Sequence, residues 1–296
     1  MRRQEEGLCS HSGMALSFDC HPCIAEKLFR HSHRGKFVVA HIDDDAIIEF
    51  ARANPSKPLV VDVGANNGDD SDYYLRKGFR VLAIEADPEL AKFLRRRFER
   101  QMEESLYHVA NVAVTDSDRV ITFYRNTRSE WSSTRKNTKA TKTNSHQVME
   151  VAGTTLGKLL QPFDKIHYVK TDIEGAELEA VRSLSSVAAR VEYFSFELNP
   201  DWQAILELLA GYGYERFKLI RQGRDHLQPP PQPAREGEYV DVQFTGNMSG
   251  TFGRELPGEW MTMAAIVEAI LACNNAMRAR TANGQPSGWY DIHAAK

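Results

Sequence analysis

Asp62, Gly64, Asn66, Gly68 and Glu85 are the residues whose types and spacing could hold a nucleoside. They fall in Leu-Val-Val-Asp-Val-Gly-Ala-Asn-Asn-Gly-Asp-Asp, which starts at residue 59, and in Val-Leu-Ala-Ile-Glu-Ala-Asp, which ends at Asp87. The pattern is an apolar strand, a glycine-containing loop, a helix, and a second apolar strand closed by an acid. Gly64 permits a tight turn at the strand end. Gly68 lets the helix start close to whatever lies over the loop, since neither glycine carries a Cβ. Glu85 ends the second strand, where a carboxylate can accept both hydroxyls of a ribose. The spacing departs from Gly-x-Gly-x-x-Gly, which rests a pyrophosphate on a helix start. Asp69, Asp70 and Asp72 occupy that helix start here and would repel a pyrophosphate. S-adenosylmethionine suits the loop better, having an adenosine, a positive sulfonium and no phosphate.

Further along, Asn111, Asp172 and Glu197 follow apolar runs that read as strands, so with Asp62 and Glu85 they gather at one end of a sheet. In an open α/β sheet that end is where ligands bind. Asp62 is expected to order the glycine loop and the amino-acid end of the ligand, and Asn111 to reach the adenine side. Methyl transfer from a sulfonium demands alignment of nucleophile, carbon and sulfur. An alcohol must also lose its proton, which a carboxylate within reach assists. Asp172 is the first candidate for that base or for substrate orientation, and Glu174 the next. Glu174 and Glu177 equally well place charge in the first turn of a helix. A magnesium ion between Asp172 and the Glu197/Asn199 pair is an alternative that nothing else in the chain demands, so no metal is expected. Cys20-His-Pro-Cys23, with Cys9, His11, His31 and His33, has zinc-ligand types but lacks a second pair at finger spacing. Arg125, Arg128, Arg135, Lys136, Lys139 and Lys142 form a basic stretch that could grip an anion, though a solvated loop explains it as well.

The elements that must position these residues alternate. From Pro58 onward strand and helix patterns follow one another, which predicts a mainly parallel sheet covered on both faces. Asp87 caps and Pro88 starts a helix with Leu90, Phe93, Leu94 and Phe98 on one face. A third strand is predicted near His108 to Val114, a fourth at Ile166 to Thr171 and a fifth at Val191 to Glu197. Arg216 to Ile220 and Tyr239 to Phe244 are predicted as two last strands, joined without a helix and therefore an antiparallel hairpin at the sheet edge. The tail adds a helix with Trp260, Met263, Ala264, Val267, Ile270 and Leu271 on one stripe. Residues 1–57, with three of the four cysteines and five of the ten histidines, read as an N-terminal extension or cap, and 58–296 as the catalytic domain.

With 296 residues, 42% hydrophobic and 26% charged, the composition is that of a soluble globular chain. The formal net charge of −3 gives no overall attraction for nucleic acid or anionic lipid. No run approaches the roughly 18 apolar residues of a membrane span. Arg2 and Arg3 have no apolar segment behind them, and four scattered cysteines make no disulfide framework, so a reducing cytoplasm is expected.

The motifs together resemble the FkbM-type S-adenosylmethionine-dependent methyltransferases. The matching pieces are VVDVGANNGDDSDYYLRKGFRVLAIEADP at 60–88, NVAVTD at 111–116, TTLGKLL at 154–160, VKTDIEGAELEAVRSL at 169–184 and FSFELN at 194–199. FGRELPGEW and the terminal WYDIHA are looser likenesses. The resemblance implies a class I methyltransferase fold: a Rossmann-like, seven-stranded, mostly parallel sheet with an antiparallel edge hairpin. It implies S-adenosylmethionine as cofactor, bound by Asp62, Gly64, Asn66, Gly68, Glu85, Asn111 and Asp172. It places Asp172, Glu174 and Glu177 toward the reaction, and His293 in the tail is a second candidate base. The implied partner is a small-molecule, secondary-metabolite or glycan acceptor methylated on a hydroxyl. Alternatives are N-methylation on the same fold and a catalytically silent cofactor-binding scaffold. A nucleic-acid enzyme is disfavoured, because the fourth strand lacks an Asn/Asp-Pro-Pro-aromatic element and the charge is slightly acidic. A nicotinamide dehydrogenase is disfavoured by the loop acids.

Overall fold

The computed structural model describes residues 38–39, 43–136, 141, 146–223, 226–285 and 288–296. The Cys20–Cys23 motif, its neighbouring histidines, Lys139 and Lys142 lie outside the described residues.

The strands in chain order are β1 (Val38–Val39), β2 (Leu59–Val63), β3 (Arg80–Ile84), β4 (Tyr107–Ala110), β5 (Ala113–Val114) and β6 (Arg119–Asn126). They continue with β7 (His146–Thr154), β8 (Ile166–Thr171), β9 (Val191–Glu197), β10 (Arg216–Arg221) and β11 (Tyr290–Ala295). Seven of them form the main sheet in the order β10-β11-β9-β8-β2-β3-β4. The pairs from β9 to β4 are parallel, and β11 is antiparallel to both β9 and β10. This is the class I methyltransferase arrangement that the sequence implied. β2, β3 and β8 are buried at every residue, as a parallel sheet covered on both faces requires.

Local chemistry explains how the helices between these strands begin. The helix Asp69–Arg76 starts from Gly68 at φ +81°, a left-handed conformation that glycine adopts without a Cβ clash. The helix Pro88–Arg97 starts where Asp87 accepts a hydrogen bond from the Glu89 amide, with proline in the first turn. Packed on one face of the sheet are the helices Leu156–Leu160, Glu177–Arg182 and Trp202–Gly211, through Leu159, Val181, Ile205 and Leu209. Ile47 and Phe50, from the helix Asp44–Arg52, join the same core. The other face is covered by Tyr73, Tyr74, Phe79 and Phe98, and by a stretch without regular structure that supplies Val240, Phe244 and Phe252.

Three elements differ from the sequence expectation. The third strand is broken at Asn111: Tyr107–Ala110 pairs with β3, whereas Ala113–Val114 turns away to pair with β7. Tyr239–Phe244 forms no strand. Its alternation is real, since Val240 and Phe244 are buried and Tyr239 is exposed, but the segment joins no sheet. The antiparallel partner of β10 is instead β11, at the end of a connection that carries the helix Met263–Ala282. That helix buries Ile266, Ile270 and Cys273, so its docked stripe is rotated from the predicted one and Leu271 is exposed.

A second, four-stranded sheet is built from β1, β5, β6 and β7. The antiparallel β6–β7 pair is its backbone, running from Arg119↔Gly153 to Asn126↔His146. Arg125 on β6 anchors it to the main sheet through a 2.7 Å ion pair with Asp87.

Phe252 is the centre of the second core. Its ring lies 4.9 Å from Tyr168, 5.0 Å from Tyr74 and 5.4 Å from Phe79, centroid to centroid. Replacing Phe252 by Ala is expected to cost about 3–5 kcal/mol. Denaturant unfolding would read it, and a loss under 1 kcal/mol would show that the 248–256 stretch does not hold that face.

Candidate functional site

The carboxyl ends of β2, β3, β8 and β9 open into a cavity of about 390 Å³, a size suited to a small-molecule ligand. Gly64 turns β2 into the loop at φ +84°. A Cβ there would lie 2.0 Å from the Asp172 carbonyl oxygen, so glycine lets the β2 and β8 ends come together. Gly68 does different work from that expected: a Cβ on it would meet Phe98 and Leu94 at 2.6 and 2.7 Å. It packs helix against helix rather than admitting a ligand.

Glu85 lines the cavity and is buried. Its Oε2 accepts from the Asn66 amide at 2.8 Å and its Oε1 from the Asp87 amide at 2.8 Å, so the carboxylate is held in one orientation. Burial raises its pKa to about 7, against the lowering effect of those two amides. Asn66 has φ +48°, and its side-chain oxygen accepts from the Ser129 hydroxyl at 2.8 Å. This contact ties the glycine loop to the short 3₁₀ turn Ser129–Trp131 after β6. Asn111 donates to the Glu85 and Ala86 carbonyls at 2.8 and 3.3 Å, so its amide holds the loop instead of lining the cavity. Ile84, Ala86, Leu90, Val112 and Phe123 supply the apolar wall beside Glu85.

Asp62 is fully buried behind the loop, where its Oδ2 accepts from the Ser71 hydroxyl at 2.7 Å. Between it and the cavity stands Lys170, whose ammonium is 3.6 Å from Asp62, 3.2 Å from Asp70 and 3.6 Å from Asp172. Burial pulls the Lys170 pKa down, and the carboxylates of Asp70, Asp62 and Asp172 outweigh it, so it stays protonated. Of the three helix-start acids, Asp70 faces this lysine and also accepts from the Ser249 amide at 2.9 Å. Asp69 pairs with Arg97 at 2.8 Å, and Asp72 lies 3.8 Å from Arg76, so their charge is largely compensated.

The residues expected to face the reaction separate into two groups. Asp172 and Glu174 both line the cavity. Glu177 is buried, and its carboxylate accepts from the amides of Ile173 and Gly175 and from the Asn199 side chain. It shapes the Asp172–Gly175 turn, and a role in proton transfer does not fit those bonds. His293 lies on β11, fully enclosed and stacked toward Tyr168, and does not line the cavity. Burial, with Lys218 nearby, lowers its pKa to about 3. The Asn199 side chain donates from its amide nitrogen to Glu177 and accepts at its oxygen from the Asp201 amide. Among the described residues no group of three acidic, histidine or cysteine side chains is arranged to hold a metal. In the basic stretch Arg125 pairs with Asp87, Arg135 pairs with Glu179 at 2.6 Å, and Arg128 stacks on Trp131. Arg128 alone of these three lines the cavity.

Lys170, Asp291, Ser129 and the two tryptophans Trp131 and Trp289 line the cavity without having been singled out as site residues from sequence. Lys170 had a signal: it stands two residues before Asp172 in an apolar strand, hence on the same face. So did Asp291, a charge inside the apolar run Tyr-Asp-Ile-His-Ala-Ala. Ser129 and Trp131 lie in the polar stretch 125–147, whose composition marks it as a candidate for acceptor choice without picking out either residue.

A family model described as the methyltransferase FkbM domain matches residues 62–216, which contain the glycine loop, Glu85 and the Asp172 turn. The chain belongs to this methyltransferase family. Its methyl donor is therefore S-adenosylmethionine; the helix-start acids, compensated by Lys170, Arg97 and Arg76, do not themselves decide against a phosphate. No curated protein matches the chain. The solved structures that the chain matches share little sequence with it. The precorrin-6y C5,15-methyltransferase of Geobacter metallireducens GS-15 is 10% identical over 86% of this chain and 87% of that one, with a TM-score of 0.34. The METTL16 methyltransferase domain is 10% identical over 85% and 65%, with a TM-score of 0.37. An rRNA methylase from Streptococcus thermophilus is 13% identical over 66% and 88%, with a TM-score of 0.31.

A ribose hydroxyl needs the ionised form of Glu85 as its acceptor, and that form predominates only above pH 7 in the ligand-free protein. Affinity for S-adenosylhomocysteine is expected to fall about tenfold per pH unit below 7. The unligated fold responds in the opposite sense. Because the folded pKa is raised from 4.5 to about 7, Glu85 favours folding below 4.5 and that contribution is lost as pH rises to 7. Calorimetry between pH 5.5 and 8 checks the first expectation; a flat profile in the wild type, or a fall that persists in Glu85→Gln, would detach Glu85 from the cofactor.

Proposed function

We propose that the protein transfers a methyl group from S-adenosylmethionine to a hydroxyl of a small molecule, secondary metabolite or sugar. The observation that carries this reading is the pairing of a fixed Glu85 carboxylate with Asp172, whose side chain is 48% exposed at the opposite side of one cavity. When bound, the cofactor supplies an electrophilic methyl group on positive sulfur. Glu85 accepts the ribose hydroxyls, the wall from Ile84 to Phe123 takes the adenine, and the Gly64–Asn66 loop receives the amino-acid end. Asp172 orients the acceptor hydroxyl and takes its proton as the carbon–oxygen bond forms and the carbon–sulfur bond breaks. Lys170 holds Asp172 in place from below at 3.6 Å. Glu174 is the alternative proton acceptor, because it borders the same space.

A small acceptor is favoured by enclosure: the Ser129–Trp131 turn stands over the loop, tied to Asn66, and narrows access. A nucleic-acid acceptor is disfavoured by the formal charge of −3 and by the acids that border the cavity. No helix among the described residues is long and apolar enough to cross a membrane.

Calorimetry is expected to show S-adenosylhomocysteine binding that Glu85→Ala weakens by roughly 100-fold, the loss of two hydrogen bonds to a charged group. A methyl-donor assay on a metabolite panel, read by mass, then identifies the acceptor. With an oxygen acceptor, Asp172→Asn should slow transfer roughly 10²–10⁴-fold at unchanged cofactor affinity. A mild effect would point to an amine nucleophile, and well-folded protein that binds neither cofactor form would remove the reading.

A further inference from the structure

Asp291 is the one acid of the cavity whose position neither the fold nor the cofactor explains. It is 7% exposed, lines the cavity, and receives no hydrogen bond or ion pair from the described residues. Lys170 makes its ion pairs with Asp62, Asp70 and Asp172 instead. In the β9–β11 register Asp291 stands directly opposite Glu197, an acid that lines the same cavity. Like charges facing each other across an antiparallel pair destabilise a sheet, and burying one of them unpaired costs more. Burial, followed by Asp172 and Glu197, holds its carboxyl well above the usual carboxylate range. An acid kept under those conditions, held neutral until a cation beside it draws off its proton, is a mark of a binding site.

The row Asp172–Glu197–Asp291 crosses the ends of three neighbouring strands, β8, β9 and β11. It therefore lies on the far side of β8 from the β2–β3 crevice that holds Glu85, which is the acceptor side. Trp289, next to β11, adds an aromatic face, while the Trp131 ring already carries Arg128. The row borders a cavity of small-molecule size, and an organic cation fits it. An ammonium group bonds to carboxylates and lies favourably over aromatic rings.

We propose that the methyl acceptor carries an ammonium group beside the hydroxyl to be methylated, and that Asp291, with Glu197, is the anchor for that group. This class includes amino sugars and amino cyclitols. The inference rests on the acceptor-side assignment of the proposed function and adds a charge requirement to it.

The test uses the full chain saturated with S-adenosylhomocysteine and titrated with matched ring probes, followed by calorimetry and tryptophan fluorescence. One set is glucose, glucosamine and glucuronate; the other is cyclohexane-1,2-diol, 2-aminocyclohexanol and 2-hydroxycyclohexanecarboxylate. The amine is expected to bind at least tenfold tighter than its neutral and anionic partners in one set or both. That preference should shrink at high salt and disappear in Asp291→Asn, whose S-adenosylhomocysteine affinity stays at the wild-type level. Equal or tighter binding of the alcohol or the acid overturns the proposal, as does no amine binding in either set or a preference that survives Asp291→Asn. Loss of cofactor affinity in Asp291→Asn also overturns it, by assigning the carboxylate to the cofactor. If the wild-type chain does not bind S-adenosylhomocysteine, the cofactor reading fails, and the same titrations without it still decide the amine preference.

Discussion

The ammonium of Lys170, enclosed by the carboxylates of Asp62, Asp70 and Asp172, is the interaction that holds the site together. The three acids come from the end of β2, the first turn of the following helix, and the residue after β8. Without a shared cation they would repel one another in a region of low dielectric, and the strand ends would spread. With it, the backbone can close until Gly64 touches the Asp172 carbonyl, and that approach fixes where Asp172 presents its side chain. Neutralisation therefore comes first, and the geometry of the loop follows.

Around that ion cluster the protein uses its polar atoms economically. Asn111, Asn199, Glu177 and the Asn66 backbone are spent on holding turns and orienting carboxylates, so the groups that border the cavity are few and fixed. Orientation set before a ligand arrives lowers the entropy lost on binding and on reaching the transition state. The β6–β7 sheet contributes in the same way. Its Arg125–Asp87 pair and Ser129–Asn66 hydrogen bond fasten the roof of the cavity to the elements that make its floor.

Much of this was legible because the signals were local. The Leu59–Val63 and Arg80–Ile84 strands, the Asp87–Pro88 helix start and the glycine loop each depend on a few adjacent residues, and each forms where the pattern put it. The final strand was misassigned because alternation reports burial and not pairing. Tyr239–Phe244 buries Val240 and Phe244 against the second core and makes no ladder, while Tyr290–Ala295, interrupted by Asp291 and His293, fills the slot between β9 and β10. Among the site residues, Glu85, Asp172 and Glu174 border the cavity as the spacing suggested. Gly68, Asn111 and Glu177 share the neighbourhood but are committed to the chain itself, and His293 is sealed beneath Tyr168. A residue type at a strand end says that it is near the ligand, and only its hydrogen bonds say whether it has anything left to give.

By itself, the sequence determined the βαβ unit, the glycine loop within it and the capped helix start at Asp87. All of these follow from strand periodicity, from glycine's freedom of backbone conformation and from charges within one turn of each other. Only the tertiary structure decided which acids share Lys170, which loop roofs the cavity, and that Asp291 is brought opposite Glu197. Those depend on contacts between segments far apart in the chain, where the partner of a charge is set by the path of the backbone and not by its neighbours in sequence.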